Sequence, residues 1–484
     1  MLTDHLWYPT EKIFVNGQWK KPDSGNHVEL VNPSNGEAIA NIAQGNSRDI
    51  ESSVSAALNA LKGPWGKSTA VQRGRLLLRL SDLVKKRLNN LAYIESVDVG
   101  KPLTQSKNDA IALARYFEFY GGASDKITGE TIPYLNGYTV YTLREPHGVT
   151  GHIVPWNYPM QIIGRTLGAA LAMGNACILK PSEEACLTAL AIGELAREAG
   201  FPDGAINIVP GLGTEAGWNL SQHPEVRHLS FTGSVEVGQA IQTEAAKNLV
   251  PVTLELGGKS PQIVFEDADL DKAMPFLVNA GIQNAGQTCS ASSRILVSKK
   301  IYPELAARMA EIYKNLRVGQ ALDDLELGPV ISQRQKDVIE KYIKDARGLE
   351  ELSIGNAMDG LPEKGNYVLP RLFGNVPNSH KLAQEEIFGP VQVIIPFDDE
   401  EEAINIANDT KYGLVASVWT KDGARQMRVA KAIKSGQVFI NNYGAGGGVE
   451  LPFGGTGHSG HGREKGFEAL YGFSTLKTVA AFHG

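Results

Sequence analysis

The sequence predicts an α/β protein of two or more domains built on parallel sheets, and three observations lead there. The chain has 484 residues, 42% of them hydrophobic and 21% charged, the balance of an ordinary globular protein but too long for one small core. Short apolar runs with strand character alternate with helical patterns, the order that lays helices over the faces of a parallel sheet. Glycine-bearing turns follow two of those strands, at Gly211 to Gly217 and at Thr232-Gly233-Ser234.

Taken in order, Gly148 to Trp156 reads as a strand and turn, and Asn175 to Leu179 as the next strand. Glu184 to Glu198 reads as a helix closed by Gly200 and followed by Pro202. Ala205 to Val209 is a strand running into the first glycine turn; His228 to Phe231 is another, and Ser234 opens a helix through about Ala246. Residues 131 to 146 alternate polar and apolar around Asn136-Gly137, a hairpin signal that leaves the main domain. The acidic run Asp398 to Glu402 precedes a helical pattern (Ala403, Ile404, Ile406, Ala407) and reads as a helix start stabilised by the backbone dipole, not as a site.

Composition excludes several partner classes. A net charge of −6 and a pI near 6.0 do not suit a polyanion, so no nucleic acid is expected. The longest apolar run, Leu167 to Leu179, is too short to span a bilayer and contains Gly174 and Asn175, so no membrane is expected. The N-terminus has neither a basic nor an apolar leader pattern. Of the three cysteines, Cys177 and Cys186 read as small core residues; free thiols with no disulfide pattern point to a reducing cytoplasm. No metal site is expected.

The third cysteine differs. Cys289 sits in Asn284-Ala-Gly-Gln-Thr-Cys-Ser-Ala-Ser-Ser293, among small and polar residues, where a nucleophile would stand. Leu254-Glu255-Leu-Gly257-Gly-Lys-Ser-Pro261 places a lone carboxylate beside glycines, a candidate general base that could by itself be a buried structural group. Gly233 and Ser234 lie at a helix N-terminus, which attracts phosphate, whereas Gly211-x-Gly213-x-x-x-Gly217 is a weak signal alone.

Through the segments around Cys289 and Glu255, the chain resembles the aldehyde dehydrogenase superfamily along nearly its whole length. The resemblance implies a Rossmann-like cofactor domain (1–125 and 147–257), an α/β catalytic domain (258–458), and a small β oligomerisation element (126–146 with the tail 459–484), assembled as a homodimer or homotetramer. It implies that Cys289 attacks the aldehyde carbon, that Asn157 of Pro155-Trp156-Asn157-Tyr158-Pro159 joins the backbone N–H of Cys289 in holding the oxyanion, and that Glu255 activates the hydrolytic water. The cofactor would be NAD. Gly233 and Ser234 would take its pyrophosphate, Lys180 and Glu183 its adenosine ribose, and Glu386 its nicotinamide ribose with Phe388 alongside; Trp156, Ser182, Gly213, Gly217, Phe231 and Gly257 complete that surface. A carboxylate on ribose hydroxyls repels a 2′-phosphate, so Glu183 predicts NAD over NADP.

Two other classes stay open: an acylating enzyme that passes the thioester to coenzyme A, whose members usually lack the glutamate found here at 255, and a cofactor-binding protein without activity. The family pattern Pro-Phe-Gly-Gly-x-Lys-x-Ser-Gly reads Pro452 to Gly460 here with Gly457 in place of the lysine, a change that concerns loop packing.

For the substrate, the resemblance places Tyr158, Arg165, Gln283 and Gly447 along the tunnel. Relatives acting on succinate semialdehyde carry an arginine where Arg165 falls, and a guanidinium fork suits a carboxylate. Their second arginine is Gln283 here, and Arg165 could instead pair with an internal carboxylate. Gly447 stands where many relatives place an aromatic, which leaves room for a ring and weakens a quaternary-ammonium substrate. The expectation is a polar or anionic small-molecule aldehyde, aromatic ones included.

Overall fold

The computed structural model describes residues 2–444 and 448–484. Two sheets carry the fold, and a third, smaller one stands apart from them in the pairing. The first sheet has eight strands. Its parallel centre runs Ile206–Ile208, Ala176–Pro181, Val149–Val154, His228–Thr232, Val252–Glu255, so that counted along the chain the strands stand third, second, first, fourth, fifth. That is the Rossmann arrangement, in which the order reverses beside the first strand and leaves a crevice at the carboxyl ends of the first and fourth. Every residue of Val149–Val154 and of Ala176–Pro181 is buried, as expected of strands covered on both faces.

The apolar run beginning at Leu167 is the end of helix Pro159–Ala172, of which only Gln161 is not buried; it packs as a core helix. No helix among the described residues is long and apolar enough to cross a membrane. The helix expected from Glu184 begins later, at Leu187–Ala199, because Ser182 Oγ accepts from Glu184 N–H (3.3 Å) and holds that stretch as a turn. The acidic run opens helix Glu400–Asn408, with Asp399 capping Glu402 N–H at 2.9 Å.

The second sheet has seven strands in the order Glu350–Ile354, Arg371–Gly374, Val391–Phe397, Arg294–Ser298, Pro261–Val264, Val415–Trp419, Gln437–Ile440, parallel except at its first edge. Leu256 to Ser260 crosses from the last parallel strand of the first sheet into the second. In the small sheet Tyr138–Pro146 lies between Thr131–Ile132 and Ser474–Phe482. The hairpin around Asn136-Gly137 is wider than a two-residue turn: Ile132 pairs with Val140, and Pro133, which has no N–H to donate, begins the loop. The tail is divided. Gly460–His461 joins the edge of the first sheet beside Val252–Glu255, and only Ser474–Phe482 belongs to the small one. At Gly457 the backbone is left-handed (φ +61°) and a Cβ would come within 2.7 Å of the Lys411 carbonyl, so glycine suits this loop where a lysine would be strained.

Candidate active site

The crevice forms where the strand order reverses. Val149–Val154 ends in Pro155-Trp156-Asn157, and Pro159 occupies the first turn of the next helix, where its missing N–H costs nothing. Asn157 is buried; its Nδ2 donates to the Gln287 carbonyl at 3.0 Å, which leaves the second N–H of the amide for another acceptor. Tyr158 Oη meets Thr288 Oγ1 at 2.9 Å, and the ring lies under the buried Lys101 ammonium at 3.9 Å. Lys101 is itself held by Glu95 and Asp109, and Glu95 accepts from Met160 N–H at 3.3 Å, so this ion cluster fixes the start of the helix behind Asn157.

Cys289 approaches from the second sheet. The loop before it takes three consecutive left-handed residues, Asn284 (φ +51°), Ala285 (+52°) and Gly286 (+74°), of which the first two are strained. Surrounding bonds keep it so: Asn284 N–H donates to Gln105 at 2.9 Å, Asn284 Nδ2 to the Asn157 carbonyl at 3.1 Å, and Gln287 accepts from Ile331 N–H at 2.9 Å. A Cβ at residue 258 would collide with the Cys289 carbonyl, which explains Gly258. Burial pushes the Cys289 thiol up to about 12, opposed chiefly by Arg165 and reinforced by Glu386 and Glu255.

Glu255 ends its strand inside the same crevice, 1% exposed, with no hydrogen-bond partner for either carboxylate oxygen among the described residues. Burial raises its pKa well above the carboxylate range, Glu464 adds to the rise, and Arg165, Arg463 and Lys465 oppose it. Its neighbour Gly257 is glycine because a Cβ there would collide with the Glu386 carboxylate, which also accepts from Gly258 N–H at 3.0 Å. Desolvation holds Glu386 up at about 7.

Farther out, Lys180 Nζ binds Glu183 at 2.8 Å, and Gly213 N–H donates to the same carboxylate at 3.1 Å. Burial works to raise Glu183, but Lys180 outweighs it and keeps the carboxyl below its usual value, charged and about one-third exposed. A Cβ on Gly213 would reach only Glu183 and Lys180, at 3.8 and 3.9 Å, so glycine keeps the space above that pair open; Gly217 likewise lies over the Lys180 stem. Gly233 could not carry a Cβ without striking the Phe231 ring, and Ser234 caps helix Val235–Lys247 through Val237 N–H at 3.3 Å. Trp156 meets Phe388 edge-on with centroids 5.5 Å apart. A ribose-binding carboxylate, glycines that keep the backbone bare and a capped helix N-terminus are the parts a dinucleotide needs, and they fit one here.

A cavity of about 410 Å³ joins these groups: Cys289, Glu255 and Asn157 line it together with Ser234, Glu386 and Phe388. Among the described residues no cluster with metal-ligand composition occurs. Two comparisons then decide the family. Residues 19–479 match the sequence profile of the Aldehyde dehydrogenase family. The chain is 44% identical to aldehyde dehydrogenase family 2 member B4, mitochondrial, of Arabidopsis thaliana, covering 97% of this chain and 87% of that protein. The chain belongs to the aldehyde dehydrogenase family. Its fold superposes on a putative aldehyde dehydrogenase from Burkholderia cenocepacia with a TM-score of 0.97 at 58% identity, covering 98% of this chain and 100% of that one. It also superposes on an aldehyde dehydrogenase from Bacillus cereus in its NAD+ complex, with a TM-score of 0.95 at 37% identity, covering 98% and 97%. The protein is therefore an oxidoreductase acting on aldehydes with a nicotinamide cofactor, built as the α/β sequence pattern and the Rossmann-like expectation required.

Arg165 lines the cavity, and it has the internal carboxylate partner that the sequence left open: its guanidinium pairs with buried Glu464, donates to Thr232 Oγ1 at 3.3 Å and lies 5.1 Å from the Phe453 ring. Glu464 stands that close because the tail returns to the first sheet, a long-range pairing invisible in the local sequence. Tyr158 lines the cavity, and Gln283 lines both it and the adjoining outer one, whereas Gly447 lies outside the described residues. Sequence reasoning missed Asn284, Gln287, Glu464 and Lys465. Asn284 and Gln287 stood in the quoted cysteine segment, and an Asn-Ala-Gly run is a signal for left-handed backbone; Lys465 follows Arg463-Glu464 with no local mark at all.

Proposed function

We propose that this enzyme oxidises an aldehyde to its carboxylic acid through a covalent thioester on Cys289, with Glu255 as the base for hydrolysis. The observation that supports this most is Glu255 itself, a buried carboxyl with no hydrogen-bond partner among the described residues, lining the same cavity as Cys289, the one cysteine of the three that is only partly covered. Cys289 Sγ gives up its proton and bonds to the aldehyde carbon, and the oxyanion that forms is held by the free N–H of the Asn157 amide and the Cys289 backbone N–H. Glu183 and Lys180, Ser234, and Glu386 would hold the cofactor, which supplies the hydride acceptor. Glu255 then takes a proton from water, the hydroxide attacks the thioester carbon, and the acid leaves as the thiol is restored.

NAD is preferred over NADP because the charged Glu183 occupies the ribose end. The substrate is a polar or anionic aldehyde, small rings included. The setting is a reducing cytoplasm, supported by three free cysteines. The assembly is a homodimer or homotetramer built on the small sheet, whose exposed Tyr134, Leu135, Leu476 and Phe482 need cover; a stable monomer in light scattering at micromolar concentration would overturn it.

Cys289→Ala is expected to lose at least about 10⁴-fold in turnover. Glu255→Gln is expected to release a burst of NADH and then turn over about 10²- to 10⁴-fold more slowly. A Gln variant with wild-type steady-state turnover removes Glu255 from the base role, and a wild type that needs coenzyme A to turn over moves the reading to the acylating class.

A further inference from the structure

Helix Pro159–Ala172 begins without a cap of its own. Tyr158 stands in the N-cap place and makes no side-chain bond to the helix, and Pro159 has no N–H to offer. The next donor, Met160 N–H, goes to Glu95 Oε2 at 3.3 Å, a carboxylate supplied by helix Leu88–Val99. That helix stops at Gly100 in left-handed backbone (φ +85°), where a Cβ would also come within 2.9 Å of the Pro329 ring. Lys101 follows, 0% exposed, its carbonyl accepting from Ser96 Oγ at 2.7 Å. Burial works to lower the pKa of its ammonium, but Asp109 and Glu95 outweigh it and keep the group charged. One buried cation therefore holds Tyr158 by its ring face at 3.9 Å, Met160 through Glu95, and Gln161 through Asp109, which accepts from Gln161 Nε2 at 2.5 Å.

Tyr158 carries this hold to the reacting centre. Asn157 Oδ1 has no hydrogen-bond partner among the described residues, so its amide is aimed by one side-chain bond, Nδ2 to the Gln287 carbonyl, and by the backbone at 157 and 158. Tyr158 Oη meets Thr288 Oγ1 at 2.9 Å. The two donors assigned to the oxyanion, the Asn157 amide and the Cys289 N–H, thus each stand next in sequence to one end of the Tyr158–Thr288 bond. Such donors stabilise developing charge only when they are held where it forms.

We propose that Lys101 is a positioning residue for the oxyanion site. Set on the face of Tyr158 and tied through Glu95 and Asp109 to the turn that follows, it fixes the spacing between the two donors while lining neither the cavity of Cys289 nor the adjoining outer one. The inference rests on the thioester reading above, which assigns those donors. A desolvated ammonium over a ring is held more firmly than an exposed one, so this contact suits a positioning role.

The test is a double-mutant cycle on kcat and on the rate of NADH formation in the first turnover. The substrate is pentanal, benzaldehyde or succinate semialdehyde, whichever the wild type oxidises fastest, and the NAD dissociation constant of each variant is titrated separately. Lys101→Met is expected to lower both rates about 10²-fold, the cost of a misplacement of about 1 Å, with NAD binding held within about threefold. In the Asn157→Ala background the same change is expected to cost less than about threefold, because the donor it positions is gone. Lys101→Met leaves two buried carboxylates without their cation, so if it does not fold the uncharged triple variant Glu95→Gln, Lys101→Met, Asp109→Asn runs the same cycle. Tyr158→Leu keeps the ion cluster whole and is expected to show the same non-additivity with Asn157→Ala. Equal fold-losses with and without the Asn157 amide, a loss below about threefold in the wild-type background, a parallel loss of NAD binding, or additive behaviour of Tyr158→Leu would each overturn the proposal alone. An Asn157→Ala variant with wild-type kcat overturns the oxyanion reading and takes the proposal with it.

Discussion

Glu183 follows strand Ala176–Pro181 and Glu255 ends strand Val252–Glu255 of the same sheet, yet the fold gives them opposite chemistry. Glu183 keeps Lys180 at 2.8 Å, a backbone donor at 3.1 Å and about a third of its side chain in solvent, and it stays charged. Glu255 is sealed in with no donor among the described residues and a second carboxyl, Glu464, near enough to raise it further. The first carboxyl keeps its charge and the second is held toward its neutral form; the difference teaches that the donors within reach and the burial around a glutamate, rather than its residue type or its place in the topology, set its state of charge.

The sharpest test of that contrast is stability against pH. Glu255 has its folded pKa raised above the unfolded value, so its contribution to stability is fully present below the ordinary carboxylate range and is lost as pH rises through the raised value. Glu255→Gln, which mimics the protonated acid, is expected to gain on the wild type by up to about 1.4 kcal/mol per pH unit across that window. A denaturation-midpoint difference that stays flat from pH 4 to 9 would mean that Glu255 is not held neutral. Glu183 has the opposite sign, since its carboxyl lies below the usual range. Its smaller effect is read in the cofactor: Glu183→Ser is expected to narrow the NAD over NADP preference in kcat/KM by about tenfold, on the order of one charge repulsion of 1.4 kcal/mol. Equal use of both cofactors by the wild type would break the comparison, because Lys180 would then be the group that governs the ribose end.

Much of this was legible in the sequence because it is local. The strand and helix alternation between Gly148 and Ala246 reports itself through burial and glycine punctuation, and the structure reproduces it with helix starts moved by a few residues where Ser182 intervenes. Cys289 and Glu255 were visible because reactive side chains among small residues are locally anomalous. Arg165 was read from its spacing to Asn157 alone, which could not reveal that Glu464, far along the chain, would claim the guanidinium.

By itself, then, the sequence determined the layered α/β plan and marked Cys289 and Glu255 as the candidate nucleophile and base through their near neighbours and residue chemistry, while Asn157 and Glu183 were marked only through the resemblance of their segments to the family. Tertiary structure decided what those groups do to one another. The return of the tail to the first sheet, through Gly460–His461 beside Val252–Glu255, brings Glu464 and Lys465 into the crevice, and with them the charges that engage Arg165, raise Glu255 and give the chamber its second cation. Electrostatic coupling depends on distance and desolvation in the folded molecule, and neither is encoded in the spacing of residues along the chain.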